Sequence, residues 1–247
     1  MTRPTLSVIL ITKNEADLVG LCLESVRWAD EIIVVDSGST DATVDICRRY
    51  TDKVVVTDWP GFGPQKNRAL AMATGDWVLS IDADEQVTPA LAREIESTMA
   101  SAPHHVYKLP RLSKLMGRPM HHGDWWPDEV PRLFRRGHAS FTNDLVHERL
   151  DFKGAAPALQ HLLLHDSIRS LEQMIDKINQ YTTGGAVRLK DKGRTGSLGK
   201  AVSHGLWALF RAYVLKRGFL DGREGFIAAV SAGESAYYKY LKCLYQR

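Results

Sequence analysis

Residues 76 to 85 read Asp-Trp-Val-Leu-Ser-Ile-Asp-Ala-Asp-Glu, a short apolar run that delivers two carboxylates, Asp82 and Asp84, to the point where a buried strand should stop. Along an extended chain residues i and i+2 share a face, so the two are expected to point the same way with only Ala83 between them. Like charges this close call for a cation. Hard divalent ions such as Mg²⁺ and Mn²⁺ take carboxylate oxygen, and Mg²⁺ is commonly shared between one or two carboxylates and a substrate's phosphates. The pair is therefore a candidate metal and diphosphate site. An isolated Asp-x-Asp is more often an acidic surface turn, because charged residues are mostly solvated, so other segments must agree before it means more.

The elements that must position this pair alternate. Leu6 to Ile11 reads as a buried strand, and Asn14 is a candidate cap for a helix with Leu18, Leu21, Cys22 and Val26 at helical spacing. Glu31 to Val35 is a second strand. The polar loop Asp36-Ser-Gly-Ser-Thr-Asp follows, with Ser39 and Thr40 as caps for a helix over Ala42 to Tyr50. Lys53 to Thr57 is a third strand, Gln65 to Ala73 a helix, Trp77 to Ile81 a fourth strand, and Thr88-Pro89 opens a helix reaching about Ala100. Such alternation implies an α/β fold, a mostly parallel sheet with helices on both faces. Ligands of such sheets bind outside the carboxyl ends of the strands. Asp36, Asp82 and the loop holding Asn14 and Glu15 all fall there.

Beyond residue 103 short strands over Val106 to Leu109 and Arg132 to Arg135 flank His121-His-Gly-Asp-Trp-Trp-Pro-Asp-Glu, a loop rich in aromatic and ionisable groups, as binding sites often are. From Ser167 the pattern is helical, with Ser170 as a cap and Leu171, Met174, Ile175 and Ile178 on one face. A Gly/Lys/Arg linker over 190–200 leads to two more helices. Of these, Ala201 to Lys216 is amphipathic and basic, mixing Leu206, Trp207, Phe210 and Tyr213 with Arg211 and Lys216.

With 247 residues, 44% apolar and 25% charged, the composition is that of a globular protein. Three cysteines without C-x-x-C spacing suggest neither a disulfide framework nor a zinc knuckle, and fit a reducing cytoplasm. The opening residues read as a core strand and not a signal peptide, and no stretch approaches the roughly 20 apolar residues of a membrane span. The net charge of +3 hides a polarity: residues 185–247 carry 12 Lys/Arg against 4 Asp/Glu, a net of +8, and residues 1–184 a net of −5. A basic segment attracts nucleic acid, anionic lipid or an acidic substrate, and charge alone does not choose.

Four runs agree in order and spacing: Leu-Ser-Val-Ile-Leu-Ile-Thr-Lys-Asn-Glu (6–15), Ile-Ile-Val-Val-Asp-Ser-Gly-Ser-Thr-Asp (32–41), Lys-Asn-Arg-Ala-Leu (66–70) and Gly-Asp-Trp-Val-Leu-Ser-Ile-Asp-Ala-Asp-Glu (75–85). Together they resemble the nucleotide-sugar half of family 2 glycosyltransferases. The resemblance implies a GT-A fold, Rossmann-like, over residues 1–165, with a nucleotide-sugar half (1–100) and an acceptor half (101–165), and a helical, basic, amphipathic extension over 166–247. It implies an inverting hexosyl transfer. Asp36 would accept a hydrogen bond from the uracil of a UDP-sugar donor, with Thr12, Asn14 and Glu15 beside uracil or ribose. Lys66 and Asn67 would line the nucleotide and diphosphate pocket, Lys66 standing where many family members have Arg; that keeps the charge and loses the bidentate fork. Asp82 would sit near ribose or sugar, and Asp84 would hold the divalent metal, Mg²⁺ or Mn²⁺. Breaking the anomeric C–O bond puts negative charge on the departing diphosphate, which a metal and a Lys or Arg stabilise.

One-step inversion needs a general base for the acceptor hydroxyl. Asp124, Asp128 and Glu129 compete, and Asp128 is favoured because Trp-Trp-Pro-Asp-Glu-Val-Pro-Arg-Leu-Phe stands where related enzymes place an acidic residue ahead of an Arg-Leu-Phe strand. The segment Asn143-Asp-Leu-Val-His-Glu offers His147 for the metal or a phosphate and Glu148 as a second candidate base. His161 and His165 lack the intervening Glu of a zinc pair, and His165 is read as structural or acceptor-facing.

A closer resemblance, including Gly-Phe-Leu-Asp-Gly-Arg-Glu-Gly-Phe (218–226), is to bacterial enzymes that add glucose to the lipopolysaccharide inner core. It implies a heptose acceptor on a lipid-linked core oligosaccharide, no nucleic-acid partner, and a cytoplasmic protein held peripherally at the anionic inner membrane. The alternatives are transfer to another cell-envelope glycan or glycolipid, or a non-catalytic nucleotide-sugar or membrane-surface binding protein. A nucleotidylyltransferase is disfavoured by the lack of a Gly-rich, Arg-containing loop after the first strand.

Overall fold

A computed structural model describes residues 3–143 and 148–245. The chain forms two compact units. The first comprises the residues up to Arg111 together with Glu129–His165; the second comprises Leu112–Asp128 and the residues from Asp166 onward.

The first unit is built on strands β1 (Leu6–Thr12), β2 (Glu31–Asp36), β3 (Val54–Val56) and β4 (Trp77–Ser80), which run parallel in the order β3-β2-β1-β4. Strand β8 (Glu129–Arg135) then adds antiparallel to β4, and β6 (Val106–Leu115) antiparallel to β8. β11 (Leu163–Ile168) pairs antiparallel with β5 (Glu85–Val87) at the far edge, so the full order is β3-β2-β1-β4-β8-β6-β11-β5, with β7 (Arg118–Pro119) paired to the end of β6 and β10 (Leu150–Phe152) to β9 (Ala139–Phe141) in a separate ribbon. β6 and β11 carry the chain from the first unit into the second. Strand order reverses direction at β1, with β2 on one side and β4 on the other, which opens a crevice at the carboxyl ends of these strands.

Alternation along each strand sorts the apolar residues onto two faces. Leu6, Val8 and Leu10 of β1, Trp77 and Leu79 of β4 and Leu133 of β8 pack with α1 (Val19–Ser25) and α4 (Pro89–Ser101) through Cys22, Leu23, Leu91 and Ile95. Ile9, Ile33, Val35, Val78 and Phe134 face the other way, onto Ala69 of α3 (Phe62–Met72) and Phe141 of β9 (Ala139–Phe141). These side chains are essentially inaccessible, and each Leu, Ile, Val and Phe among them contributes roughly 1.5–3 kcal/mol by leaving water. The cysteines share this burial: Cys22 and Cys47 in the first unit and Cys243 in the second are buried free thiols.

Local chemistry explains where the helices start. Thr88 accepts the Leu91 N–H ahead of Pro89, and Ser170 accepts the Gln173 N–H at the head of α5 (Leu171–Asp191), both as the sequence predicts. Asn14 does not cap. It takes φ 54°, a left-handed conformation that Asn tolerates, and its Oδ1 accepts the Thr40 N–H, tying the β1 loop to the β2 loop. Ser39 and Thr40 do not cap either. The Thr43 N–H at the head of α2 (Thr43–Cys47) is accepted by Asp41, while Ser39 is drawn onto Asp36. Helix α3 begins three residues earlier than predicted, and the linker before α6 (Leu198–Phe210) is shorter because α5 continues to Asp191.

In the second unit α6 continues through a π-helical turn (Arg211–Leu215) and a 3₁₀ turn (Gly218–Asp221) into α7 (Gly222–Tyr245). A Cβ on Gly225 would lie 1.9 Å from the Gly218 carbonyl oxygen, so Gly225 is what lets α7 start against the 3₁₀ turn. The aromatic loop over 121–125 is fastened here. Asp221 accepts both the His122 N–H (2.8 Å) and its Nδ1 (2.8 Å), and Asp124 pairs with Arg211 (2.6 Å) and Lys216 (2.8 Å). Among the described residues, no helix is long and apolar enough to cross a membrane.

Candidate active site

Thr12 and Asp36 end neighbouring parallel strands and stand directly across from one another. The Asp36 side chain is fully buried. It accepts hydrogen bonds from the Thr12 hydroxyl (2.8 Å), the Ser39 N–H (2.7 Å) and the Ser39 hydroxyl (2.5 Å). A carboxylate offers about four acceptor positions, and three of those on Asp36 are filled from within the protein. Gly38, at φ 77°, gives the backbone turn that brings Ser39 back over Asp36. Around this point the Asn14 N–H meets Ser39 Oγ (2.8 Å), the Glu15 N–H meets Thr43 Oγ1 (2.8 Å), and Gln65 reaches Ser37 (3.0 Å).

On the other side of β1, the chain leaves β4 at Ser80 and turns, with the Glu85 N–H bonded to the Asp82 carbonyl (3.0 Å). Because the segment is a turn and not an extended strand, Asp82 and Asp84 find different partners, contrary to the strand geometry expected for them. Asp82 takes Lys66 Nζ at 3.0 Å and is hydrogen bonded by Arg132. Burial pushes the Asp82 carboxyl up, but Arg132 and Lys66 more than reverse this and hold it far below the usual carboxylate range. Asp84 stands 3.3 Å from His165 Nε2. The imidazole is placed by strand pairing, since β11 sets His165 opposite Glu85, one residue past Asp84.

Beneath the turn, Glu85 is completely buried. It accepts the Asp82 N–H (2.9 Å), Arg132 Nη2 (2.7 Å) and Arg111 Nη1 (3.1 Å). Burial opposes the Arg132 charge, and Asp82 and Glu85 outweigh it, raising its proton affinity above the ordinary arginine level. Cys22 Sγ lies 3.4 Å from the Asp82 carbonyl. Burial first, and then Glu85, Asp84 and Asp82, push this thiol well up.

Lys66 is 4% exposed and bridges Asp82 to Glu148, whose Oε1 is 2.9 Å away, with the Phe141 ring 5.6 Å from the ammonium. These groups line a cavity of about 430 Å³ whose walls carry Lys66, Arg111, Arg132 and Arg149 against Asp82 and Glu148. The cationic surplus suits an anionic ligand, and the buried Arg132 Nε has no hydrogen-bond partner among the described residues. Gly63 makes room for the approach of this wall: a Cβ there would lie 1.8 Å from the Thr142 carbonyl oxygen.

The remaining predicted residues have other surroundings. Both ends of the Asn67 amide bond the backbone of Phe141, at 2.8 and 2.9 Å. Glu129 is exposed and 3.6 Å from Lys108. Asp128 is half-buried and belongs to the second unit. His147 lies outside the described residues. Sequence reasoning did not single out Glu85, Arg111 or Arg132 for the site, and it read His165 as structural or acceptor-facing rather than as a partner of Asp84. A signal existed for one of them, because Arg132 is a charged residue between Val130-Pro131 and Leu133-Phe134 in an otherwise apolar strand pattern.

The sheet order and the clustered acidic and basic groups at its carboxyl edge define a GT-A type α/β protein. Residues 7–150 match the Glycosyl transferase family 2 profile. The chain belongs to that family and is a glycosyltransferase. An uncharacterized glycosyltransferase of Rickettsia conorii is 34% identical across 96% of this chain and 89% of the relative. The lipopolysaccharide core biosynthesis glycosyltransferase LpsC of Rhizobium meliloti is 30% identical across 98% of this chain and 92% of its own length. Among solved structures, glucosyl-3-phosphoglycerate synthase from Mycobacterium tuberculosis, in complex with Mn²⁺, UDP-glucose and phosphoglyceric acid, shares the fold. Its TM-score is 0.50 at 18% identity, covering 79% of this chain and 82% of that one.

Proposed function

We propose that this glycosyltransferase moves a hexose, glucose in the first instance, from a UDP-sugar to a heptose of the lipopolysaccharide inner core, inverting the anomeric carbon. The acceptor reading is supported by similarity to LpsC along nearly the whole chain. The observation that carries the donor reading is the Lys66 bridge between Asp82 and Glu148 in a cationic cavity at the carboxyl edge of the sheet. In this reading the first hundred residues form the nucleotide-sugar half, with Asp36 receiving uracil N3–H and Thr12, Asn14 and Glu15 shaping the nucleoside pocket.

Asp84 and His165 are the groups that would hold a divalent ion. The Asp84 carboxylate fits Mn²⁺ or Mg²⁺ shared with phosphates, the His165 imidazole is a nitrogen donor beside it, and no third His, Cys, Asp or Glu joins them among the described residues. When bound, such an ion supplies positive charge against the diphosphate. Lys66 and Arg132 add fixed charge where the departing diphosphate gains its own, and burial of both strengthens that effect. Asp82, kept ionised by the same two cations, orients the sugar or ribose hydroxyls. The acceptor proton passes to Asp128, with Glu148 as the second candidate because it already lines the cavity.

A donor screen tests this. The purified chain is incubated with a lipid A-linked heptose acceptor and UDP-glucose, UDP-galactose or UDP-N-acetylglucosamine, and UDP release and the glycosylated product are measured. Release with UDP-glucose that depends on the acceptor is expected; turnover only with a different acceptor class transfers the assignment to another envelope glycan.

A further inference from the structure

Helix α6 is arranged inside out. The face it turns toward α7 carries its small residues, Ala201, Gly205 and Ala212, all buried, and a Cβ on Gly205 would come within 3.2 Å of the Gly233 carbonyl. Of the large apolar residues only Leu209 packs against Gly233 of α7, and the others point outward. Leu198, Val202, Leu206, Phe210 and Val214 recur every four residues and are all exposed, Leu206 at 65% and Phe210 at 44%, with Trp207 beside them at 55%. A helix that only builds a core shows the opposite sorting, and a continuous exposed apolar stripe marks an interaction surface.

Cations accompany this stripe. Lys200 falls within its span, Lys216 and Arg217 just beyond it and Arg223 on the first turn of α7, all exposed, with Lys216 also paired to Asp124 and Arg223 to Glu224. A groove of about 490 Å³ along the helix is lined by His204, Trp207 and Tyr240 together with Arg211 and Lys239. Aromatic rings with cations at their margin suit the boundary between acyl chains and headgroups. Residues 185–247 carry a net +8, so a second copy docked through this same face would bring like charge against like charge, whereas an anionic headgroup layer neutralises it.

We propose that the outward face of α6 docks on an anionic phospholipid bilayer, with Leu206, Trp207 and Phe210 entering the interface and the surrounding Lys and Arg meeting lipid phosphates. This rests on the lipid-linked acceptor reading for its purpose, but the surface is testable without it. The full chain is sedimented with vesicles of phosphatidylcholine alone or mixed with phosphatidylglycerol, alongside L206E/F210E and K200E/R223E variants whose melting curves verify folding. These positions are solvent-exposed, so the fold tolerates them.

Binding to the anionic vesicles alone is expected, weakened roughly tenfold or more in each variant. Equal binding by the variants, or none by the parent chain, overturns the proposal. So does a sedimentation-velocity dimer that L206E/F210E dissolves, since the face would then be a self-interface. UDP release with a soluble, lipid-free heptose acceptor, measured on the same preparations, separates the two ideas: vesicle binding without turnover refutes the acceptor reading and supports the surface, and turnover without vesicle binding does the reverse.

Discussion

Arg132 Nη2 lies 2.7 Å from Glu85 Oε1 although 47 residues separate them, and both side chains are buried. The same Glu85 accepts the Asp82 N–H, so one buried carboxylate fixes both the backbone of the Asp82-Ala83-Asp84 turn and the guanidinium that faces its first side chain. A buried ion pair of this kind contributes little net stability, yet losing one partner is severe.

Glu85→Gln leaves Arg132 and Arg111 without their shared counter-charge. Unfolding free energy should fall by about 3 kcal/mol in a urea titration. UDP affinity should fall with it, because the turn is no longer pinned. Unchanged UDP binding by calorimetry at a temperature where the variant is folded would show that the turn holds its shape without Glu85.

Asp84→Asn and His165→Ala test the metal assignment separately from the fold. Each should raise the Mn²⁺ concentration for half-maximal activity by roughly tenfold or more. Both side chains are partly exposed, so melting temperatures should barely move. An unaltered Mn²⁺ titration in His165→Ala would remove the imidazole from the metal shell.

The base is decided by a pair of isosteric changes. Asp128→Asn should lower kcat by about 10²- to 10⁴-fold with the donor KM little changed, as expected for a group acting on the acceptor proton. Glu148→Gln should act mainly through Lys66 and raise the donor KM. The opposite pattern assigns the proton transfer to Glu148.

Acid stability has a separate source. Glu31 receives hydrogen bonds from Lys53, Ser7 and Thr74, which outweigh its burial and lower its pKa from 4.5 to about 2. A carboxylate depressed in the folded state contributes stability that is complete above its unfolded value and disappears as pH falls through the folded one. Stability measured from pH 6 downward should therefore drop between about 4.5 and 2, and Glu31→Gln should flatten that part of the curve.

Much of this molecule is legible in short windows of sequence. The alternation in Leu6 to Thr12 and Trp77 to Ser80 sets which residues enter which core face, and Thr88-Pro89 and Ser170 announce their helices by local hydrogen bonding. The four ordered motifs likewise show the family. Long-range pairing escapes such windows. Asn67 reaches the Phe141 backbone 74 residues away, and His165 meets Asp84 only because β11 pairs with β5. The direction α6 faces is hidden for another reason: Ala201 and Gly205 carry almost no hydropathy signal, so the large side chains dominate the pattern although packing follows the small ones.

The three buried thiols give the folded chain a built-in set of clocks. Cys22 lies under the Asp82 carbonyl, Cys47 sits behind Asp36 with its thiol pushed up to about 12, and Cys243 lies near the end of α7. None can meet an alkylating reagent until its surroundings open, so each labelling rate reports the free energy of a local opening. Cys22 and Cys47 time the catalytic edge of the first unit and Cys243 times the helices of the second. A mass-resolved labelling experiment on the unmodified sequence would therefore show whether a nucleotide or a vesicle slows one clock and leaves the other running.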